Sequence, residues 1–311
     1  MTLYTDWRTL PQAVRGNAVA LGNFDGVHRG HVHLLESLKM ARPDCPPAVV
    51  TFEPHPRAFF RPQDPPFRLM RADMRAQALS EQGVDHVVQI PFDSTFSHSG
   101  PRDFVRDVLI GGLDVAHVAC GADFAFGHRR TGDVVLLETL LRQHGVGVSI
   151  VPQLSDVSGP ISSSRIRRLI QEGYPERAAE LLGRTWSITG EVVQGDQRGR
   201  LLGFPTANIA LGDYIEPARG VYAVQVRLPD GRDVPGVANV GRRPTINDGK
   251  ESRLEAHLFD FDEDLYGQTL SVALVALLRE EKRFKGLDEL KAQIACDARQ
   301  ARACLERHST C

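Results

Sequence analysis

The sequence has few cysteines, and it lacks any close pair of them. They are odd in number and never form a C-x-x-C pair: Cys45, Cys120, Cys296, Cys304 and Cys311. This distribution excludes a disulfide framework and a thiolate metal site, and it is typical of proteins in a reducing compartment. We therefore expect a cytoplasmic protein.

Long apolar runs are absent as well. The longest, residues 270–278, is about half of the roughly 18–20 residues that a membrane-spanning helix requires. The N-terminal sequence MTLYTDWRTLPQ has no basic segment followed by an apolar one, so it does not resemble a secretory signal. We expect neither a membrane span nor a membrane partner.

Charge of one sign is not in excess, because 37 basic and 39 acidic residues leave a formal net charge of −2. This balance argues against a broad basic surface, so we expect no nucleic-acid partner. Apolar residues make up 42% of the 311 residues and charged residues 24%, as in globular proteins. The length suggests two domains, and we expect a monomer or a weak homo-oligomer.

Short apolar runs alternate with helical patterns in the first half of the chain. Five buried strands are predicted at residues 19–21, 48–52, 87–90, 118–120 and 146–151. Helices are predicted between them at residues 31–40, 72–81, 101–110 and 133–143. The alternation predicts an α/β domain with a doubly wound parallel sheet, in which ligands bind at the carboxyl ends of the strands.

After two short helical segments, residues 164–171 and 175–182, the pattern changes to strands separated by turns. Six strands are predicted at residues 186–193, 206–209, 221–228, 234–240, 253–259 and 269–278. They predict a small, mostly antiparallel six-stranded β-barrel, followed by a C-terminal helix at residues 288–307. The predicted domains are residues 1–183 and 184–311.

The first candidate site is the segment GNFDGVHRGH, which directly follows the first predicted strand. Its glycines, Gly22, Gly26 and Gly30, permit a sharp turn and a close approach of the backbone to a ligand. The helix that follows directs its free N–H groups at the same place, which favours phosphate binding. His28 and His31 are three residues apart, so on a helix they share a face and reach the same phosphate.

Two further segments of this half carry residues that suit a ligand. Three serines at residues 162–164 precede Arg165 and Arg167, and hydroxyls, helix-start amides and guanidinium groups together suit a triphosphate. The alternative is a serine helix cap with a solvated basic face. Phe124 and Phe126 follow the fourth predicted strand, where the fold places ligands, and as alternating phenylalanines they are themselves interpreted as core residues.

The second candidate site is the segment GFPTAN at residues 203–208. On a strand, Thr206 and Asn208 point to the same face. Hydroxyl and amide oxygens suit a Mg²⁺ ion that keeps waters and nucleotide phosphates as its other ligands. Taken alone, a Thr-x-Asn pair is a weak signal that also fits a plain surface strand.

The segment GNFDGVHRGH resembles the H-x-G-H signature of the nucleotidyltransferase superfamily. TFEPHP at residues 51–56, GADFAFG at 121–127 and ISSSRIR at 161–167 narrow the resemblance to bacterial bifunctional riboflavin kinase/FAD synthetases. The second half is similar to their riboflavin kinase domain, in GFPTAN and in several segments further along the chain. These segments are GVY at 220–222, NVGRRPT at 239–245, EAHL at 255–258 and DLYG at 264–267.

The resemblance implies two ATP-dependent reactions on flavins. Riboflavin is phosphorylated to FMN, and FMN then attacks the α-phosphorus of a second ATP to give FAD and pyrophosphate. Riboflavin, FMN and ATP are the implied small-molecule partners, and Mg²⁺ is the implied cofactor. In the kinase reaction Glu255 would orient and deprotonate the ribityl 5′-hydroxyl, and in the second reaction His28 and His31 would act on the phosphates.

The resemblance also implies binding residues. Those for ATP or phosphate are Gly22, Asn23, Phe24, Gly30, Ser162, Ser163, Ser164, Arg165, Arg167, Gly203 and Thr206. Those for flavin are Asp123, Phe124, Phe126, Asn239 and Arg242, and those for the metal are Thr206 and Asn208. Two alternatives stay open, a catalytically silent flavin-binding regulator and a nucleotidyltransferase with a different phosphorylated acceptor.

Overall fold

The computed structural model describes residues 1–194, 204–244 and 250–308. The chain forms two compact units. The first consists of Met1–Pro65 and Met70–Ser162, and the second of Pro66–Leu69 and Ser163–Cys311. The functional boundary at residue 183 stays a prediction.

The first unit is built on a six-stranded sheet. Its strands are β1 (Thr2–Tyr4), β2 (Ala18–Leu21), β3 (Pro47–Glu53), β4 (His86–Pro91), β5 (His117–Gly121) and β6 (Gly147–Val151). They lie in the order β1, β4, β3, β2, β5, β6, and all adjacent pairs are parallel. The order reverses between β2 and β5, and the carboxyl ends at such a reversal form the crevice where ligands bind.

Alternate residues of β2 belong to separate cores on the two faces of the sheet. Val19 and Leu21 lie in one core with Leu137. Ala20 lies in the other core, together with Leu35. The doubly wound arrangement is therefore confirmed, because apolar helix faces cover both sides of the sheet.

The helical elements of the first unit include a π-helix and three 3₁₀ turns besides the α-helices. The α-helices are α1 (Arg29–Ala41), α2 (Pro56–Phe60), α3 (Ala72–Glu81), α4 (Ser94–Ser97), α5 (Pro101–Asp103) and α6 (Val134–Arg142). The helix predicted over residues 101–110 is α5 followed directly by a π-helix, Phe104–Gly112. Three 3₁₀ turns, at Trp7–Thr9, Gln12–Val14 and His128–Arg130, and a two-stranded ribbon of β7 (Ser155–Asp156) and β8 (Gly159–Pro160) complete the unit.

The second unit begins with two helices and continues as a barrel. The helices are α7 (Ser163–Gln171) and α8 (Pro175–Leu182). The strands are β9 (Ser187–Val193), β10 (Ala207–Ala210), β11 (Gly220–Arg227), β12 (Asp233–Pro244), β13 (Lys250–Leu258) and β14 (Thr269–Glu280). They close in the order β10, β13, β12, β11, β14, β9 with antiparallel pairing throughout, so the predicted six-stranded barrel is confirmed.

The C-terminal helix, α9 (Leu287–His308), packs against the outside of the barrel. Its Ala301 and Leu305 lie in one apolar cluster with Val221 of β11. A buried ion pair adds to this contact, since Arg279 Nη2 lies 2.7 Å from Asp297 Oδ2 and only 3% of the Asp297 side chain is exposed. The predicted final helix is thus confirmed and is an integral part of this unit.

A short segment from early in the sequence also belongs to the second unit. The indole N–H of Trp186 donates to the carbonyl oxygen of Leu69 at 2.8 Å. The backbone N–H of Arg68 donates to the carbonyl oxygen of Asp213 at 3.0 Å. In the part of the chain that the structure describes, no helix is both long and apolar enough to span a membrane.

Candidate active sites

The first site is formed by the turn between β2 and α1. Gly26 has a φ of +87°, which explains why glycine occupies this position. Gly22 and Gly30 serve close packing instead, because a Cβ would lie 3.2 Å from the Phe24 ring at Gly22 and 3.1 Å from the His28 ring at Gly30. The sharp turn predicted from three glycines therefore relies on Gly26 for its conformation.

Two apolar residues of this turn adopt the left-handed region at some conformational cost. Phe24 has a φ of 51° and Val27 a φ of 39°, and both side chains are fully buried. Their burial against α1 holds the turn in this shape. The predicted contact of Phe24 with ATP is therefore limited to its backbone, because the ring lies in the core.

The two histidines stack on each other at the start of α1. Their ring centroids are 3.6 Å apart and the ring planes differ by 19°. The backbone N–H of His28 donates to Nδ1 of His31 at 3.2 Å. With Nδ1 of His31 an acceptor, the proton of a neutral ring lies on Nε2, which makes Nε2 the donor nitrogen of this side chain.

Asn23 contributes two oxygens to this turn, its backbone carbonyl and its side-chain Oδ1. Its backbone carbonyl accepts a hydrogen bond from Thr51 Oγ1 at 3.2 Å. Its side-chain Oδ1 is buried, and no described residue donates a hydrogen bond to it. A buried acceptor without a donor is costly, so this oxygen is suited to a ligand that brings an N–H or O–H group.

The loop after β5 lies beside this turn, since Leu21 and Cys120 are paired in the sheet. Asp123 is exposed and its Oδ2 accepts from the Gln153 amide at 2.7 Å. Burial, and to a lesser degree the carboxylate of Asp123, raises the pKa of Cys120 to about 12. The thiol therefore stays protonated near neutral pH, and nucleophilic catalysis by Cys120 is excluded.

The segment ISSSRIR spans the end of the first unit and the start of the second. In the first unit, the carbonyl oxygen of Ile161 lies 3.1 Å from the Cβ position of Gly30, so Ile161 lies beside the start of α1. In the second unit, Arg167 is half-buried, and its Nε donates to the carbonyl oxygen of Phe67 at 2.8 Å. The roles of Ser162, Ser163, Ser164, Arg165 and Arg167 toward phosphates stay predictions.

An aromatic cluster, Phe52, Phe59, Phe60, Phe92, Phe96, Phe104, Phe124 and Phe126, adjoins the first site. Phe124 stacks on Phe126 at 5.6 Å with 14° between the planes, and Phe126 is 6% exposed. Phe126 is a core residue, as the alternating pattern predicts, whereas Phe124 is half-buried, and contact of either ring with a flavin stays a prediction. At the other end of the cluster Phe60 is 61% exposed and lies 5.6 Å from Phe92.

Sequence reasoning did not identify Phe59, Phe60, Phe92 or Phe96. Phe52 lies in β3, which ends beside the β2 turn, and its ring contacts those of Phe92 and Phe96 at 5.9 and 5.8 Å. The signal was present in the sequence as the phenylalanines that follow the second and third predicted strands. An exposed aromatic ring continuous with a buried cluster is suited to stack on a planar ligand.

The second site is a row of three polar residues on the barrel, formed by Asn208, Glu255 and Asn239. Asn208 of β10 is paired with Glu255 of β13, and Glu255 is paired with Asn239 of β12. Directly paired residues of antiparallel strands point to the same face, with Cβ atoms about 4.5–5.5 Å apart. The interior-facing neighbours of Glu255, Leu254 and Ala256, are fully buried, so the polar row lies on the outer face.

Like Asn23 in the first site, Asn208 has a buried side-chain oxygen that lacks a hydrogen-bond donor among the described residues. Its side chain is 4% exposed, and its Oδ1 is buried and receives no hydrogen bond from any residue that the structure describes. Its side-chain amide nitrogen donates to the carbonyl oxygen of Thr206 at 3.3 Å. The Oδ1 atom of Asn208 takes no part in this hydrogen bond. Thr206 is half-buried just before β10.

These donor types fit a magnesium ion. Hard oxygen ligands such as the Asn208 amide and the Thr206 hydroxyl suit an ion that is bound mainly through phosphates and water. In the described residues, no group of three or more His, Cys, Asp and Glu side chains is arranged to hold a metal by protein ligands alone. The site therefore fits an ion that arrives with a nucleotide.

His257 supports this site, and its contacts do not follow from the motif. Its Nδ1 lies 2.8 Å from the carbonyl oxygen of Pro205, and its ring lies 5.3 Å from that of Phe204. His257 thus anchors the segment that leads into Thr206. Gly203 lies outside the described residues, and Arg242 is described by its backbone pairing with Ser252 in β13.

The fold and the two sites define a two-domain protein with a nucleotidyltransferase-like half and a barrel half. A family model described as FAD synthetase matches residues 10–165, and one described as riboflavin kinase matches residues 182–305. The "Bifunctional riboflavin kinase/FMN adenylyltransferase" of Escherichia coli (strain K12) is 40% identical, and the alignment covers 97% of each chain. The protein of the same name from Haemophilus influenzae (strain ATCC 51907 / DSM 11121 / KW20 / Rd) is 39% identical over 94% of this chain and 95% of its own.

A solved structure is similar over nearly the whole length. It is titled "Crystal Structure of Macrolide-efflux Protein from Streptococcus pneumoniae", has a TM-score of 0.84 and 30% identity, and the match covers 95% of this chain and 96% of that one. This likeness shows that the two chains share a fold. By its relatives and its two matched models, the chain belongs to the bifunctional riboflavin kinase/FMN adenylyltransferase family.

Proposed function

We propose that the polar row of the barrel and the histidine turn of the sheet are the two active sites of a bifunctional flavin enzyme. The barrel half phosphorylates riboflavin to FMN with ATP, and the sheet half transfers AMP from ATP to FMN, which gives FAD and pyrophosphate. Family membership over 97% of the chain, with both halves in order, is the observation that carries this function.

In the kinase reaction, Glu255 accepts the proton of the riboflavin 5′-hydroxyl as that oxygen attacks the γ-phosphorus. A carboxylate is too weak to ionise a primary alcohol in advance. It acts late, when the loose transition state has already made the hydroxyl acidic. The register supports this role, because Glu255 lies between Asn208 and Asn239 and is thereby fixed from both sides.

Thr206 and Asn208 would hold the magnesium ion of the nucleotide through their side-chain oxygens. When bound, the ion neutralises charge on the phosphates. The buried Oδ1 of Asn208 supports this assignment, since no described residue donates a hydrogen bond to it. Asn239 and Arg242, on the adjacent strand β12, bind the flavin in this proposal.

In the adenylyl transfer, the FMN phosphate attacks the α-phosphorus of ATP and pyrophosphate leaves. No covalent intermediate with the enzyme forms, so catalysis consists of alignment and charge stabilisation. His28 and His31 donate hydrogen bonds to the phosphates, and the stacked geometry brings both rings to one place. Gly22, Asn23, Phe24 and Gly30 contribute the turn and its backbone N–H groups.

Ser162, Ser163, Ser164, Arg165 and Arg167 bind the departing pyrophosphate in this proposal. Within the first unit, the carbonyl oxygen of Ile161, the residue before Ser162, lies beside Gly30 at the start of α1. Arg167 donates to the carbonyl oxygen of Phe67 through Nε and keeps its full positive charge, as Arg165 does. The segment combines hydroxyl and guanidinium donors, as a polyphosphate requires.

The flavin of the second reaction packs on the aromatic cluster, with Phe124 and Phe60 as the accessible rings. Phe60 supports this assignment because it is 61% exposed, and its ring contacts those of the half-buried Phe59 and Phe92. Asp123 binds a polar edge of the flavin. Phe126 holds Phe124 in place from the core.

The cellular setting follows from the substrates and the cysteines. We place the enzyme in the cytoplasm, because the sequence lacks closely spaced cysteine pairs. We further propose that it is a monomer or a weak homo-oligomer. Size-exclusion chromatography with light scattering tests the oligomeric state.

A chromatographic time course tests the function. Purified protein is incubated with riboflavin, ATP and Mg²⁺, and the flavins are separated over time. We expect FMN to appear first and to convert to FAD. Accumulation of FMN without FAD would contradict the proposal for the sheet half and favour another acceptor, and bound but unchanged riboflavin would favour a silent regulator.

A further inference from the structure

Arg75 of α3 is buried as deeply as the apolar core. Its side chain is 2% exposed, and a buried guanidinium is tolerated only when it is paired and hydrogen-bonded. Its Nη2 donates to Glu53 Oε2 and to Gln89 Oε1, both at 3.2 Å. Its Nη1 donates to the backbone carbonyl of Asn23 at 3.3 Å. One side chain therefore joins the turn after β2 to β3 and β4.

The carbonyl of Asn23 is held from two directions. Besides Arg75, it accepts from Thr51 Oγ1 at 3.2 Å, and Thr51 is fully buried. Two buried donors fix the orientation of this carbonyl, and with it the whole peptide plane between Asn23 and Phe24, because that plane is rigid.

The opposite edge of the same peptide plane carries the N–H of Phe24. In a trans peptide, the carbonyl oxygen and the N–H point in opposite directions. Holding the Asn23 carbonyl toward Arg75 therefore directs the Phe24 N–H away from the core. This N–H makes no hydrogen bond to any residue that the structure describes.

The peptide plane also needs to be held, because Phe24 is strained. Its φ of 51° lies in the left-handed region, which is unfavourable for a residue with a side chain. Without the hydrogen bonds from Arg75 and Thr51, rotation of this peptide would relieve the strain at Phe24 and would therefore be favoured.

We propose that Arg75 is a positioning residue for adenylyl transfer, which fixes the Asn23–Phe24 peptide so that the Phe24 N–H faces the ATP phosphates. The inference rests on the proposal that this transfer takes place at the histidine turn. Arg75 acts through the turn and does not itself touch the substrate. Lysine cannot replace it fully, since one ammonium does not reproduce the two prongs of the guanidinium fork.

The experiment compares Arg75→Met, Arg75→Lys and Arg75→Met/Glu53→Met. For each protein, kcat and KM for ATP are measured with FMN supplied, together with Tm and the riboflavin kinase activity of the same sample. We expect Arg75→Met to lower the adenylylation kcat about 10²-fold, the loss typical of a misplacement near 1 Å. Arg75→Lys recovers part of this loss, and kinase activity stays within twofold.

The double variant separates positioning from stability. The double variant removes the carboxylate of Glu53 together with its counter-charge Arg75, so we expect Tm to recover while the adenylylation kcat stays low. If kcat recovers together with Tm, Arg75 is only structural and the proposal is overturned. Should Arg75→Met fail to fold, Thr51→Val tests the same carbonyl, with a severalfold loss of kcat expected and an unchanged kcat contradicting the proposal.

Arg42→Met is the matched control. Arg42 also pairs with a carboxylate, that of Asp44, and donates to a backbone carbonyl, that of Ala116 at 3.2 Å, but at the opposite end of β5. We expect its adenylylation kcat to stay within twofold. His28→Ala separates the two proposals: if it retains FAD formation, the proposed site is wrong, and if it abolishes FAD formation while Arg75→Met does not, only the inference about Arg75 fails.

Discussion

Asn208 and Glu255 lie directly opposite each other on the antiparallel strands β10 and β13. The relative position of these two residues is fixed by the backbone hydrogen bonds between strands of a closed barrel and does not depend on the conformation of a loop. A candidate metal ligand and a candidate base are thereby held at a fixed spacing by the fold itself. Such preorganisation lowers the cost of assembling the transition state.

The metal dependence of the kinase reaction tests the role of Asn208. Asn208→Leu removes the buried oxygen, so we expect the Mg²⁺ concentration for half-maximal FMN formation to rise about tenfold or more. Asn208→Asp retains an oxygen ligand and serves as the matched variant, with a smaller change. A Mg²⁺ titration measures both, and the Mg²⁺ dependence of adenylylation in the same samples is the control. An unaltered titration curve for Asn208→Leu would rule out a ligand role.

Substitution of the exposed Phe60 tests the proposal that the flavin packs on the aromatic cluster. Phe60→Ala removes one stacking partner, and an aromatic pair contributes about 0.5–1.5 kcal/mol. We therefore expect KM for FMN in adenylylation to rise about two- to tenfold. Phe60→Tyr keeps the ring and restores KM. Tyr174→Ala removes another exposed aromatic ring, 43% exposed and outside the cluster, and leaves this KM unchanged. A KM that does not move in Phe60→Ala would place the flavin elsewhere.

The ion pair between Arg279 and Asp297 tests what holds the C-terminal helix. Asp297→Asn leaves Arg279 partly buried without its counter-charge, and breaking such a pair costs about 3–5 kcal/mol. We expect a marked fall in the stability of the barrel, measured by thermal unfolding followed through riboflavin kinase activity.

Asp260→Asn is the control for this prediction. It breaks the pair between Arg302 and Asp260, whose side chains are 45% and 80% exposed. Exposed pairs contribute about 0–1 kcal/mol, so its effect is small. Equal effects of the two substitutions would show that burial does not decide the contribution of the Asp297 pair.

Much of the fold is predictable because its signals are local. The apolar runs and turn residues predict five of the six sheet strands and all six barrel strands, since both patterns are visible within a few residues. The edge strand β1 was not predicted, because Thr2–Tyr4 is three residues long and mostly exposed. A helix was predicted where the π-helix Phe104–Gly112 lies, but its type was not, since its apolar spacing also fits an α-helix.

The candidate sites are predictable only in part. The motifs identify His28, Asn208 and Glu255, and strand parity predicts that Thr206 and Asn208 share a face. The pairing of Asn208 with Glu255 depends on the register between distant strands, which no local pattern specifies. Arg75 could not be found, because an arginine on a short polar helix normally indicates a solvated face, whereas here it is 2% exposed.

The central claim, two separate sites in one chain, is tested most directly by a pair of substitutions assayed for both products. His28→Ala is expected to abolish FAD formation and to leave FMN formation intact. Glu255→Ala is expected to abolish FMN formation, by about 10²–10⁴-fold, and to leave FAD formation from supplied FMN intact.

His33→Ala on α1 and Glu191→Ala on β9 are the matched controls, and both activities persist in them. The flavin products are separated by chromatography, and unfolding curves establish that each variant is folded. The account predicts one lost activity per variant. Loss of both activities in either folded variant would contradict it.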